Sequence, residues 1–338
     1  MHIGLITPFA STPRGNAISA WRLRHGLTQV GVKVTLCGLD ASEGIGPCIE
    51  GVDVIHALHA YRTGRLLLNH RANHGSLPPV VLSFTGTDLA YDLKDPERES
   101  IVRQACDLAS AIVVYHEAAK EELSERLPSN AGKIHIIAPA VHLAGSETGL
   151  RTQLGLPADA FVFLFPAGVR PVKNLLFPLP LLAELQREHP HLRAVFAGPI
   201  IDQDEGHRLK AMLARFPWAH YAGVIPHEKM AGIYAEADVV VNTSHHEGLA
   251  NAVLEGMYMG RPVLASDIPA NAAVIRHGVN GLLYDSPDAF CLQASRLLTA
   301  RTLRETLGEA SATFVREHYS LDAEMAGYKR LYHQVAGA

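Results

Sequence analysis

Four cysteines in 338 residues form no Cys-x-x-Cys pair and lie scattered at Cys37, Cys48, Cys106 and Cys291. That scatter argues against a cysteine metal site and a disulfide framework, and fits reduced thiols in a cytoplasmic protein. No apolar run approaches the ~20 residues that span a bilayer. There is no Lys/Arg block either: 30 basic residues face 34 acidic ones, for a formal net charge of −4. Nucleic acid is therefore not an expected partner. Residues 1–150 hold no basic amphipathic stretch, which speaks against a membrane-surface role. The start, Met1 to Pro8, is short and lacks the basic flank of a signal peptide; it reads as a first strand. Short internal repeats and low-complexity tracts are also missing.

What remains is a chain of length suited to two ordinary domains, each able to bury its own core. In the first half, strand patterns at His2–Thr7, Lys33–Gly38, Val52–Leu58, Pro79–Phe84, Ala111–Tyr115 and His135–Ala138 alternate with helical ones. The helical patterns include Ala17–Val30, Glu99–Ala109 and Glu117–Leu127. Such alternation predicts a mostly parallel sheet covered by helices. A turn-like run at Ala144–Gly149, followed by Leu154–Pro157, marks the linker, and the alternation restarts at Phe161–Phe165. The expected domains are 1–145, 156–320 and a final helical segment, 321–338, that crosses back to the first.

The most informative stretch runs from Ser244 to Met257 and carries Glu247 and Glu255, eight positions apart. The apolar run Ala237–Val241 before it reads as a strand buried on both faces. A helix ended by Gly260 and a strand at Pro262–Ala265 follow. Glu247 would then sit at the carboxyl end of a parallel strand, where open α/β sheets bind ligands. The N–H groups of Gly248, Leu249 and Ala250 are expected at the helix start, favouring an anion. Eight helical residues rise about 12 Å, which would set Glu255 at a ribose diol and Glu247 at a sugar.

A second candidate follows the strand at Phe161–Phe165: a turn at Gly168, then Arg170 and Lys173 three positions apart. Two fixed cations there could stabilise the charge that builds on a departing diphosphate. Ordinary surface charges are the alternative reading.

On these residues the chain resembles GT-B-fold glycosyltransferases of glycosyltransferase family 4. The carriers are Glu247 and Glu255 in an E-x7-E spacing, Gly260-Arg261-Pro262-Val263, and Asn280-Gly281-Leu282-Leu283. Gly15-Asn16-Ala17, Leu58 to Arg62, Gly86-Thr87-Asp88 and Val169-Arg170-Pro171-Val172-Lys173 together are similar to a smaller branch. That branch includes the glycosyltransferase 1 domain-containing proteins and the bacterial selenosugar synthases. The resemblance implies two Rossmann-like, doubly wound domains facing across a cleft, with a nucleoside-diphosphate sugar (UDP-sugar favoured) as donor and a small-molecule acceptor. It implies retention of configuration and no metal or other cofactor. Glu247 and the backbone of Gly248, Leu249, Ala250 and Asn251 would hold the sugar, Glu255 the ribose, and Arg170 and Lys173 the diphosphate. Gly168 and Ile225 would line the donor site, with Ile225 in the turn beside the base. The chain departs from the family in its close Arg170–Lys173 spacing, in Pro269–Ala273 without a glutamate, and in Thr85–Asp88 where a His-Gly pair is usual.

Gly15 and Asn16 open a helix after the first strand, where N–H groups could meet donor phosphates; a plain turn is the alternative. His59 and Arg62 follow the strand ending at Leu58, and Thr87 and Asp88 follow the one ending at Phe84. All four are candidates for the acceptor side, with Asp88 equally suited to cap a helix. His245 and His246 point to opposite faces of an extended segment, which disfavours a metal doublet. Asp202-Gln203-Asp204 copies a metal-binding DxD but falls in a polar loop. A nucleotide-sugar epimerase and a non-catalytic nucleotide-sugar-binding subunit are the rival functions; oligomeric state is open.

Overall fold

The computed structural model describes residues 1–10, 15–40, 45–143 and 149–337. Its strands form two six-stranded sheets. The first contains β1 (His2–Thr7), β2 (Lys33–Gly38), β3 (Val54–Leu58), β4 (Val80–Ser83), β5 (Ala111–Val114) and β6 (Ile134–Ile136), in the order β2-β1-β3-β4-β5-β6. Every neighbouring pair is parallel. Parallel pairing requires long crossovers, and the helices Gly15–Gln29, Ala60–His74, Pro96–Leu108 and Glu117–Arg126 lie within them. All five residues of β3 are buried, as expected of a strand covered on both faces. The winding direction reverses between β1 and β3.

The second sheet contains β7 (Phe161–Pro166), β8 (Leu192–Ala197), β9 (Ala219–Gly223), β10 (Val239–Asn242), β11 (Val263–Ser266) and β12 (Leu282–Tyr284), in the order β12-β11-β10-β7-β8-β9. It too is parallel throughout. Its winding reverses between β7 and β10. These reversals are the switch points at which open α/β sheets form ligand crevices at their carboxyl edges. β9 and β12 carry no strand pattern that the sequence reveals. β9 is an edge strand with only Ala219 fully buried, and β12 is three residues long.

Contacts divide the chain into two units. One holds residues up to Ala140, the short segment Glu247–Leu249 and the chain from Tyr319 onward; the other holds Val141–His246 and Ala250–His318. The helix Leu321–Ala336 packs in the first unit. Met325, Tyr328, Leu331 and Tyr332 join Ile3, Leu5, Val54 and Leu58 in one apolar cluster. Glu324 secures it: Arg22 Nε and Nη2 donate to its two oxygens at 2.9 and 3.0 Å, and Ala140 N–H donates at 3.0 Å. Beside them the buried His56 ring bonds the Tyr332 hydroxyl at 2.7 Å and Ser83 Oγ at 2.8 Å. The expected linker residues Ala144–Thr148 lie outside the described residues. Just after them, the N–H groups of Leu150 and Arg151 donate to the Glu236 carboxylate at 3.1 and 2.7 Å, within the second unit.

The cysteines depart from expectation. Cys37, at the end of β2, and Cys48, in the turn Gly46–Cys48, are joined by a disulfide with Cα atoms 6.2 Å apart. The turn returns to β2 by passing over Gly4, where any Cβ would collide with the Cys48 carbonyl. That convergence is tertiary and leaves no mark in the cysteine spacing. Cys106 and Cys291 are free thiols, and burial pushes Cys106 up to about 12.

Candidate active site

The β7/β10 switch point gathers two segments of the second unit. β7 continues as Ala167–Val169, whose N–H groups at 167 and 169 donate to the carbonyls of Ala197 and Pro199. The single turn Pro171–Lys173 follows, entered from extended backbone at Arg170 and left through a left-handed Asn174. Arg170 and Lys173 are both half-buried on this turn. Gly168 serves differently from expectation. It has no positive φ, and a Cβ there would lie 2.5 Å from the Ile201 side chain, so its smallness makes room rather than permits a turn.

β10 ends at Asn242, and the loop beyond it is tied to that turn. Thr243 Oγ1 donates to the Lys173 carbonyl at 2.7 Å, and His245 N–H donates to the Val172 carbonyl at 2.9 Å. Beneath the loop, Asn242 Oδ1 accepts from Ser244 N–H and from Asn271 Nδ2. Ser266 Oγ donates to the Ser244 carbonyl at 2.7 Å. Asn271 is wholly buried and lies in Pro269–Ala273, the segment that lacks a glutamate.

The helix after this loop begins later than expected, at Asn251, with Ala250 as its non-helical flank. Gly248 and Leu249 lie in the preceding bend, so the N–H groups at the helix start are those of Asn251 and Ala252. Glycine is a poor helix former, and Glu247–Leu249 group with the first unit while Ala250 onward belongs to the second. Glu255 therefore stands about one turn into the helix rather than two. Glu247 and Gly248 are half-buried, and Leu249 and Ala250 buried.

Glu255 is 9 % exposed. Its Oε2 accepts from the Tyr234 hydroxyl at 2.7 Å, and its Oε1 lies 3.3 Å from His227 Nε2. His227 ends the turn that leaves β9 through a left-handed Gly223 and passes the half-buried Ile225. Burial, then the Glu255 charge, holds the Tyr234 phenol well above its ordinary range, so it is a permanent donor.

In the first unit, the remaining candidates follow β1, β3 and β4. Gly15 and Asn16 open the helix Gly15–Gln29. His59 follows β3 with φ +80°, a strained value for a side chain with a Cβ. Its Nδ1 accepts from Arg62 N–H at 3.4 Å, which leaves the proton of the neutral ring on Nε2. Nε2 then donates to Thr87 Oγ1 at 3.1 Å and faces the Asp92 carboxylate at 3.8 Å. Burial lowers the His59 pKa against the opposing pull of Asp88 and Asp92. Arg62 is exposed and lays its guanidinium over the Phe9 ring, 5.3 Å from the centroid. Asp88 is wholly buried and accepts from the N–H groups of Ala60, Thr85, Gly86 and Leu89. Its carboxylate binds loop backbone, the local use open to it.

His245 and His246 are both exposed, and Asp202 caps the helix Gln203–Leu213 by accepting from Glu205 N–H. Among the described residues, no three His, Cys, Asp or Glu side chains cluster as a metal ion would require. No described helix is long and apolar enough to cross a membrane. Sequence reasoning missed Tyr234, His227, Asn242, Thr243 and Asn271, whose partners lie on separate elements. Only the position of Asn242 and Thr243 at the end of an apolar strand offered a signal.

Two doubly wound, six-stranded parallel sheets are the architecture of the GT-B fold. Residues 160–300 match the family described as glycosyl transferases group 1. The chain is 26 % identical over 284 residues to glycosyltransferase 1 domain-containing protein 1 of Xenopus tropicalis, covering 81 % of this chain and 80 % of that protein. It is 29 % identical over 251 residues to D-inositol 3-phosphate glycosyltransferase of Thermobispora bispora, covering 70 % of this chain but only 54 % of that enzyme. Among solved structures, sucrose-phosphate synthase of Thermosynechococcus elongatus superposes with a TM-score of 0.83 at 18 % identity, over 99 % of both chains. Anabaena HepE, solved with UDP and glucose, gives 0.77 at 18 % identity, over 99 % of this chain and 100 % of its own. The chain is thus similar to group 1 glycosyltransferases over residues 160–300, and its two doubly wound sheets have the GT-B fold.

Proposed function

We propose that the chain transfers a sugar from a nucleoside-diphosphate sugar, with a UDP-sugar favoured, to a small-molecule acceptor, with retention and without a metal. The observation that carries this reading is the lacing of the loop after β10 to the turn after β7 through Thr243–Lys173 and His245–Val172. It ties the turn that carries Arg170 and Lys173 to the loop after β10 at one switch point, where in this reading a diphosphate would lie. Anabaena HepE, of the same fold, holds UDP and glucose.

In this reading Lys173 and Arg170 bind the distal phosphate, where charge grows as the bond from sugar C1 to phosphate oxygen breaks. Cations already in place cost no reorganisation at that moment, and so favour the transition state over the bound donor. The acceptor hydroxyl forms its bond to C1 on the face being vacated, and its proton passes to the departing phosphate oxygen. Glu247 accepts bonds from sugar hydroxyls, and Glu255 from the ribose. The acceptor lies with His59, Arg62 and Thr87.

The test is thermal stabilisation of the purified protein by a panel of UDP-, GDP- and ADP-sugars, beside a Glu255→Ala variant. A ligand at 100 times its Kd adds about 2.7 kcal/mol. Stabilisation by one nucleotide class, weakened in the variant, supports the reading. No response to any of the panel sets it aside.

A further inference from the structure

A carboxylate that is to receive two ribose hydroxyls must present its oxygens in one fixed orientation, because a freely turning side chain loses the advantage of a rigid diol. Glu255 sits on the helix Asn251–Tyr258, which by itself fixes only the backbone. Its neighbours supply the rest. Tyr234, on the helix Met230–Glu236, has no solvent exposure, and its hydroxyl donates to Oε2 at 2.7 Å. Oε1 is left on the open side, facing His227 Nε2 at 3.3 Å, and His227 keeps about a quarter of its side-chain surface exposed, at 27 %. One oxygen is thus anchored toward the core and the other turned to the turn that follows β9. A carboxylate has about four acceptor positions, so these two contacts leave capacity for both hydroxyls of a diol.

We propose that Tyr234 is a positioning residue: its hydroxyl fixes the plane of the Glu255 carboxylate and so sets the preference of the site for a ribonucleotide. The proposal rests on the reading of Glu255 as the ribose group. Tyr234 touches no substrate; it acts through Glu255. A phenol retained only for packing would serve equally well as phenylalanine, which fills the same space without the hydroxyl.

The experiment measures the binding of UDP, GDP and ADP, each against its 2′,3′-dideoxy analogue, to the wild-type chain and to Tyr234→Phe and Glu255→Ala. A hydrogen bond to a charged group is worth roughly 10- to 100-fold in affinity, so the wild type should prefer one ribonucleotide over its dideoxy partner by at least about tenfold. Glu255→Ala should erase that preference. Tyr234→Phe should shrink it to about threefold or less by weakening the ribonucleotide alone, with donor KM raised and kcat nearly kept, as expected for a contact remote from the bond being broken. A Tyr234→Phe protein that melts lower yet keeps the full preference would show a merely structural tyrosine and overturn the inference. Loss of preference in Glu255→Ala beside full preference in Tyr234→Phe would overturn it while leaving the donor reading intact. A wild type that binds no nucleotide, or binds both analogues equally, would overturn the ribose reading and this inference together.

Discussion

The Thr243 hydroxyl donates to the main-chain carbonyl of Lys173 at 2.7 Å, joining the loop after β10 to the turn after β7, its neighbour in the sheet. Losing that strap should let the cationic turn drift. Thr243→Val, which keeps the side-chain shape, should lower transfer about tenfold, since small misplacement of a charged group is costly to a preorganised site. Thr243→Ser should retain most activity. Equal rates in all three proteins would show that the strap does not govern Lys173.

Glu247→Ala or Lys173→Ala should each reduce transfer at least ~100-fold, the scale of a lost preorganised group. Circular dichroism and melting temperature should stay close to wild type, because both side chains are half-buried at a strand end rather than in a core. Near-normal turnover in the folded double variant would remove both from the mechanism.

Acid should destabilise the first unit through His56. Burial lowers its imidazole to about 3 in the folded chain, below the ordinary ~6.5. Between those values the unfolded chain binds a proton that the folded chain refuses. Stability is therefore complete above about pH 6.5 and falls as the pH drops toward 3, by at most ~1.4 kcal/mol per unit. His59, also lowered by burial, acts in the same direction. His56→Gln should flatten the slope of Tm against pH between 7 and 4.5; an unchanged slope would assign the acid sensitivity elsewhere.

Arg22→Met should cost about 3–5 kcal/mol in urea unfolding, because it leaves the Glu324 carboxylate buried without its cation. Arg22→Met combined with Glu324→Leu should recover a large part of that loss. Additive losses in the double variant would count against a coupled pair.

Alkylation of the unfolded, unreduced protein should label Cys106 and Cys291 only, with Cys37 and Cys48 joining after reduction. Closing so short a loop is worth about 2–3 kcal/mol on the chain-entropy view. Labelling of all four without reductant would return the pair to the thiols expected of a cytoplasmic chain.

Most of the strands, though not β9 and β12, were legible because doubly covered strands such as β5 and β7 are nearly continuous apolar runs. The positions of Glu247 and Lys173 beyond the carboxyl ends of β10 and β7 were legible because each follows such a run. What escaped was whatever depends on partners across the fold. Tyr234 and Glu255 lie 21 positions apart on different helices, and nothing in either segment announces their hydrogen bond. Asp88 reads equally as ligand or cap until the four N–H groups around it are in place. The delayed helix start at Asn251 follows a bend at Gly248 and Leu249 that periodicity does not encode.

The return of Leu321–Ala336 to the first sheet bears on the order of synthesis. Leu331 and Tyr332 complete a cluster founded on Ile3 and Leu5, so residues made before the second unit wait for residues made after it. The second unit, made in between, has all six strands of its sheet by Tyr284 and can close first. Until the ribosome releases Leu321–Ala336, β1 and β3 carry an uncovered apolar face, and chaperones should be found on that nascent intermediate.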